Sequence, residues 1–271
     1  PYTGQFASPL FQQVWDRTDR AVRDGVLTTP RSWIWGPQPI TGAAQETYSD
    51  STGGSRLVQY FDKSRMELND PVKGVVTNGL LVEEMINGQV QTGNQAFRPS
   101  VPAEQSVAGD PIEANVTAPT YSSFRTVAFP TNQAHAPNLV GQVVSAVLAR
   151  DGSVSYGANY YQYNVVLGSY DSTLGHNVPT IFNTFFQQQG LVYEGGYHNG
   201  QVIDPAFVVG LPLSEPYWAQ VKVGGVLKDV LMQAFERRVV TYTPSNPAGF
   251  QLEMGNVGQH YLRWRYSIRV P

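Results

Sequence analysis

The sequence predicts an α+β fold, mostly β, made of two diverged repeat units with an intervening β segment. Each unit is a short amphipathic helix followed by hairpins. Three observations predict this. Four short motifs recur in the same order, apolar residues at helical spacing head each copy, and β-branched and aromatic runs alternate with Gly/Pro turns. Repeat unit one spans 1–98, a Pro/Ala arm and β segment spans 99–175, and repeat unit two spans 176–271.

The helix is expected at Leu10-Phe11-Gln12-Gln13-Val14-Trp15 and again at Ile181-Phe182-Asn183-Thr184-Phe185-Phe186, each with a single apolar stripe. Asn177 and Pro179 suit the start of the second helix, and Gly190 its end. Next come Gly36-Pro37-Gln38-Pro39-Ile40-Thr41 and Gly210-Leu211-Pro212-Leu213-Ser214-Glu215, turns that lead into extended chain. The clearest match pairs Leu57-Val58-Gln59-Tyr60-Phe61-Asp62-Lys63 with Leu231-Met232-Gln233-Ala234-Phe235-Glu236-Arg237, strands leaving hairpins that turn at Gly53-Gly54 and Gly224-Gly225. A fourth match sets Glu84-Met85-Ile86-Asn87-Gly88-Gln89 beside Glu253-Met254-Gly255-Asn256-Val257-Gly258-Gln259. Pro39 lies 20 residues before Gln59, and Pro212 lies 21 before Gln233, a spacing that favours common origin. Between the units, Pro99 to Pro119 is expected to cross as an arm. Val143 to Ala149 and Val154 to Tyr156 flank the turn Arg150-Asp151-Gly152-Ser153.

Composition narrows the functional classes. Charged residues make up 14% of the 271, against about 25% in a typical globular protein, and amides, hydroxyls, Gly and Tyr replace them. Such a surface repels copies of itself weakly and tolerates sugars. The net charge is −3 with no basic run, which argues against nucleic acid. The chain contains no cysteine, which removes disulfides, thiolate nucleophiles and Cys-based metal sites. No apolar stretch is long enough to span a bilayer. An exported chain that begins at Pro1 after removal of a signal peptide fits this composition.

Motifs for chemistry are sparse. His135, His176, His198 and His260 lack metal-ligand spacing, so neither a metal nor a cofactor is expected. His176 suits a helix cap and His198 a solvated loop. Glu83 and Glu84 are adjacent and point apart, unlike a glycosidase pair facing across a cleft. Asp62 and Glu236 each precede a cation and are expected to form an ion pair within their hairpin. There is no Gly-x-Ser-x-Gly elbow, and Gly53-Gly54-Ser55 lacks the lysine of a phosphate loop. Aromatic residues with nearby arginines remain as binding candidates: Trp33, Trp35, Tyr48, Arg65, Tyr217, Trp218, Arg237 and Arg238. Most such rings build small cores. Trp35 and Trp218, flanked by turns, are the ones expected to face solvent.

The segments Arg17-Thr18-Asp19, Arg31-Ser32-Trp33-Ile34-Trp35-Gly36-Pro37, Val58 to Glu67 and Val76 to Leu81 resemble a group of uncharacterised secreted proteins of Chloroflexota. So do Gly210 to Glu215, Gln233 to Arg237 and Gly255 to Tyr261. The resemblance implies export and an envelope or extracellular setting, and it transfers no catalytic residue. The expected function is a non-catalytic structural or assembly protein of a bacterial cell surface, such as a filament, sheath or surface-layer subunit. Its main partner would be other copies of itself, joined through an edge strand or the Pro1 to Pro9 segment. A cell-envelope glycan-binding module and a secreted hydrolase with an unrecognised site are the alternatives.

Overall fold

Helix α1 (Pro9–Arg23) begins where Ser8, in extended conformation, accepts a hydrogen bond from the Leu10 amide at 3.2 Å, with Pro9 as the first helical residue. Phe11, Trp15 and Asp19, spaced four apart, form its buried face. The computed structural model describes residues 4–128 and 135–270; the start of the Pro1 to Pro9 segment lies outside them.

A four-stranded antiparallel sheet follows, with β1 (Ala44–Thr47), β2 (Ser55–Phe61), β3 (Ser64–Leu68) and β4 (Val76–Asn78) in chain order. Helix α2 (Leu81–Asn87) comes next, ended by Gly88 in the left-handed region. Strands β5 (Gln89–Gln91) and β6 (Phe97–Pro99) form a small ribbon. The arm then crosses to the far end of the chain. Asp110 accepts the Gly224 and Gly225 amides at 2.7 Å each, and Asn115 accepts from the Lys222 amide at 3.1 Å.

Strands β7 (Ala146–Leu148) and β8 (Val154–Tyr156) pair across the expected Arg150–Ser153 turn, with Asp151 accepting from the Ser153 amide at 2.9 Å. Strand β9 (Leu167–Asp171) pairs with β10 (His176–Pro179), which leads into helix α3 (Thr180–Phe186). The ribbon of β11 (Gln189–Tyr193) and β12 (Tyr197–Gln201) and helix α4 (Pro205–Val208) follow. Gly190 therefore lies in β11 and does not stop the helix, which ends at Phe186.

A second meander closes the chain: β13 (Tyr217–Val223), β14 (Val226–Ala234), β15 (Val239–Tyr242), β16 (Leu252–Met254) and helix α5 (Val257–Tyr266). The hairpin β7–β8 extends this sheet to six strands, order β16-β15-β14-β13-β7-β8, through parallel pairing of Val147 with Trp218. The fold is α+β and mostly β, the class the sequence predicts.

Four strands and a helix thus occur twice, β1 to α2 and β13 to α5, and the polar contacts coincide. Ile40 donates to the Tyr60 carbonyl and Leu213 to that of Ala234, both at 2.9 Å. The Gln59 amide donates to the Thr41 carbonyl at 2.9 Å, and that of Gln233 to Ser214 at 2.7 Å. Bridges join Pro39 to Phe61 and Pro212 to Phe235. Pro39 therefore corresponds to Pro212, one residue off a strict Gly36-to-Gly210 alignment. The fourth sequence match does not correspond spatially. Glu84 lies on α2 while Glu253 lies on β16, and the structural counterpart of α2 is α5.

Both central strands are buried on two faces. Val58 and Tyr60 of β2 and Val230, Met232 and Ala234 of β14 enter one core, together with Tyr121, Leu148 and Tyr261. Phe61, Leu231 and Phe235 enter the other, with Phe11, Trp35, Phe182 and Trp218. Period-two alternation sorts the side chains. Each core draws on both units and on the middle segment, so the three segments stabilise one another. Each fully buried Phe or Leu contributes about 1.5–3 kcal/mol.

Candidate functional site

The aromatic and arginine candidates do not meet on one surface. Trp35 and Trp218 are 1% and 0% exposed, which corrects the expectation that they face solvent. Trp218 stacks against both Tyr160 and Tyr163, with centroids at 4.8 and 4.9 Å, and donates to the Val144 carbonyl at 3.0 Å. Tyr217 is buried beside Phe124. Tyr48 is buried under the Arg56 guanidinium, which sits 3.9 Å from its ring. Trp33 and Arg237 are half-buried. These rings are interior because the turns beside them are covered by other segments of the chain.

Trp35 belongs to a polar cradle. The buried Asp19 carboxylate accepts the amides of Ile34, Trp35 and Gly36 at 3.0, 2.7 and 3.1 Å. Arg238 covers the Trp35 ring at 4.7 Å and donates to the Ile34 carbonyl at 2.5 Å. Arg31 donates to the Thr18 carbonyl at 2.7 Å. The Arg17-Thr18-Asp19 and Arg31-to-Pro37 segments are therefore one structural device. Burial lowers the pKa of Arg238 to about 9, with Arg237 assisting and Asp19 opposing, so it stays charged at neutral pH.

Arg65 anchors a second buried cluster. It reaches Glu67 at 2.5 Å, Glu46 at 3.0 Å and Glu84 at 3.6 Å; Arg56 pairs with Glu67 and Arg265 with Glu46, both at 2.9 Å. Three arginines thus balance three glutamates. Tyr60, Tyr266 and Tyr261 donate to Glu46, Glu46 and Glu84. Burial opposes ionisation of Glu46, but Arg65, Arg265 and the two tyrosine hydroxyls outweigh it and bring its pKa down to about 2. Sequence reading singled out Arg65 but missed Asp19, Glu46 and Glu67. Asp19 was detectable, because it continues the Phe11–Trp15 spacing onto the buried face of α1.

The two meanders meet through reciprocal contacts. The Lys63 ammonium donates to the Met254 carbonyl at 2.7 Å, and Arg237 donates to the Asn78 carbonyl. The Gln259 amide donates to the Asp62 carbonyl at 3.2 Å, and the Glu83 amide to the Glu236 carbonyl at 3.3 Å. Each hairpin turn thus grips the helix start of the other unit. This corrects the expected ion pairs: Lys63 and Arg237 cross to the other unit instead of pairing within their own hairpins. The side chains differ between the two grips. Gln259 donates its side-chain amide to Asp62 at 2.7 Å, whereas Glu83 faces Glu236. Burial, then Glu236, then Glu84 raise the Glu83 pKa to about 7, with Arg237 opposing.

His176 lies on β10 and is buried with Nδ1 3.1 Å from Glu215, so it is not a helix cap. His198 is exposed, as expected, but lies on strand β12 instead of in a loop, 3.2 Å from Glu194. Among the described residues no group of three His, Cys, Asp or Glu side chains could hold a metal ion, and no helix is long and apolar enough to cross a membrane. On the surface, all three residues of edge strand β8 are exposed, Tyr156 to 79%, and Tyr161, later in the chain, is exposed to 57%. No family model, curated protein or solved structure matches the chain.

Proposed function

We propose that the chain is a non-catalytic structural or assembly protein of a bacterial cell surface. One observation supports this most: the recurring polar residues of both units are consumed inside the fold. Gln59 and Gln233, which recur, are 0% exposed and donate to backbone carbonyls, and Lys63 and Arg237, which also recur, donate to carbonyls of the other unit. Their chemistry maintains architecture. The interlocked cores give a stiff block, and the exposed β8 edge with Tyr156 and Tyr161 offers backbone and rings to a neighbouring copy. Light scattering across a concentration series, with electron microscopy of the concentrated sample, tests the reading. Mass that grows with concentration, suppressed by a proline at Val154, whose N–H faces the free edge, is the expected result; a monomer throughout refutes it.

The glycan-binding alternative cannot rest on Trp35 or Trp218, since both are interior. A different part of the surface favours it.

A further inference from the structure

Between the arm and helix α5 lies a cleft of about 470 Å³. Gln105 and Ser106 of the arm line one wall, Asn256 and His260 the other, and Ile112 and Ile268 add apolar surface. Two polar atoms there are buried without a hydrogen-bond partner, Gln105 Oε1 and Ser106 Oγ, and Ser106 is only 3% exposed. An unpartnered buried acceptor or hydroxyl costs about 1–3 kcal/mol, so their retention in the wall of a cleft points to a ligand.

His260 supplies a third group with a definable role. Its Nδ1 lies 2.7 Å from the Tyr121 hydroxyl. Burial holds the Tyr121 phenol well above its ordinary pKa, so the hydroxyl keeps its proton. Burial, helped by Lys63 and Arg263, brings His260 down to about 4, so the ring is neutral at pH 7. The hydroxyl has no other hydrogen-bond acceptor among the described residues, so donation to Nδ1 is what partners its proton, and the remaining proton of the ring then sits on Nε2. The cleft then offers one fixed donor, one fixed acceptor at Gln105 and one hydroxyl that can serve as either.

The charged groups at the rim are already engaged with one another. Glu113 pairs with Arg263 and also with Arg269 at 3.2 Å. A cation would meet the two arginines and an anion would compete with Glu113 for them, whereas a neutral ligand leaves these pairs in place. Alternating donors and acceptors beside aliphatic side chains suit a pyranose, whose hydroxyls do both and whose C–H face is apolar.

We infer that this cleft binds one end of a neutral saccharide, with Gln105, Ser106 and His260 reading its hydroxyls. The site shares no residue with the β8 edge, so it stands or falls independently of self-assembly.

Calorimetric titration of the whole chain with neutral tetrasaccharides of glucose, N-acetylglucosamine, mannose and xylose tests it. At least one should bind saturably. Combined Gln105→Ala and Ser106→Ala substitution should weaken it by about tenfold or more, since each lost hydrogen bond is worth about 1 kcal/mol. His260→Gln, which can still present an N–H, should weaken it less than His260→Phe. Melting curves of each variant establish that it is folded, and Gln105→Ala alone, at a half-buried position, provides the comparison if the double variant is unstable. No saturable binding of any of the four up to about 10 mM overturns the inference. So does binding that Gln105→Ala and the His260 variants leave unchanged.

Discussion

Glu83→Gln should stabilise the protein at alkaline pH and leave it unchanged in acid. The reasoning begins with the two grips between the units. In one, the Gln259 side-chain amide donates to Asp62 at 2.7 Å. In the other, Glu83 faces Glu236 and can imitate that amide only while it keeps its proton. Its pKa rises from the ordinary 4.5 to about 7. For an acid raised on folding, the folded state holds the proton longer than the unfolded state. Stability therefore falls as pH rises from the unfolded value towards the folded one, and levels off above it. From 4.5 to about 7, at about 1.36 kcal/mol per tenfold in proton affinity, the loss is roughly 3 kcal/mol. Because Glu83 is half-buried, solvent screening reduces this to about 1–2 kcal/mol. Urea unfolding followed by circular dichroism at about pH 5 and about pH 8 measures it. The variant should match the parent near pH 5 and exceed it by about 1–2 kcal/mol near pH 8. Parallel pH profiles for parent and variant, or a variant less stable near pH 8, refute the reasoning.

Other substitutions probe the interior. Arg65→Ala strands Glu46 and Glu67 without their shared cation and should cost about 3–5 kcal/mol in chemical unfolding. Gln233→Leu leaves the Asn177 and Ser214 carbonyls without their donor and should cost about 2–4 kcal/mol by the same measurement. Trp35→Ala empties part of the second core and should cost about 3–5 kcal/mol; a cost below about 1 kcal/mol would mean the ring is at the surface. In acid, the Glu46 pKa, lowered from 4.5 to about 2, means stability is lost as pH falls through that window, by up to roughly 3 kcal/mol. A pH titration of the melting temperature should show that loss in the parent and a smaller one in Glu46→Gln.

The strands were legible because period-two alternation in β2 and β14 and the glycine pairs at their turns are local signals. The helix stripes of α1 and α3 were legible for the same reason. Burial of arginine and aspartate was not. Arg65 and Arg238 read as surface residues because their partners, Glu46 and Asp19, lie 19 and 219 positions away, and no local rule joins them. The role of Asp62-Lys63 was misread for a related cause: adjacency in sequence suggested a local pair, but the turn projects both groups onto the other unit. Glu84 and Glu253 looked equivalent through a shared Glu-Met dipeptide, yet hydrogen-bond register assigns one to a helix and the other to a strand. His260 carried no spacing signal, because its orienting partner Tyr121 lies 139 positions away.

The reciprocal grips have a consequence for how such a protein can change. Two identical chains meeting about a two-fold axis would have to carry the same contact twice, either two amide–carboxylate pairs or two acid pairs. Here both halves belong to one polypeptide, so each grip is altered by its own codon. Glu83 beside Glu236 can respond to proton concentration without any change of residue in the contact between Gln259 and Asp62. One side of the junction can loosen while the other stays fastened, an asymmetry that a symmetric partnership of identical chains cannot encode.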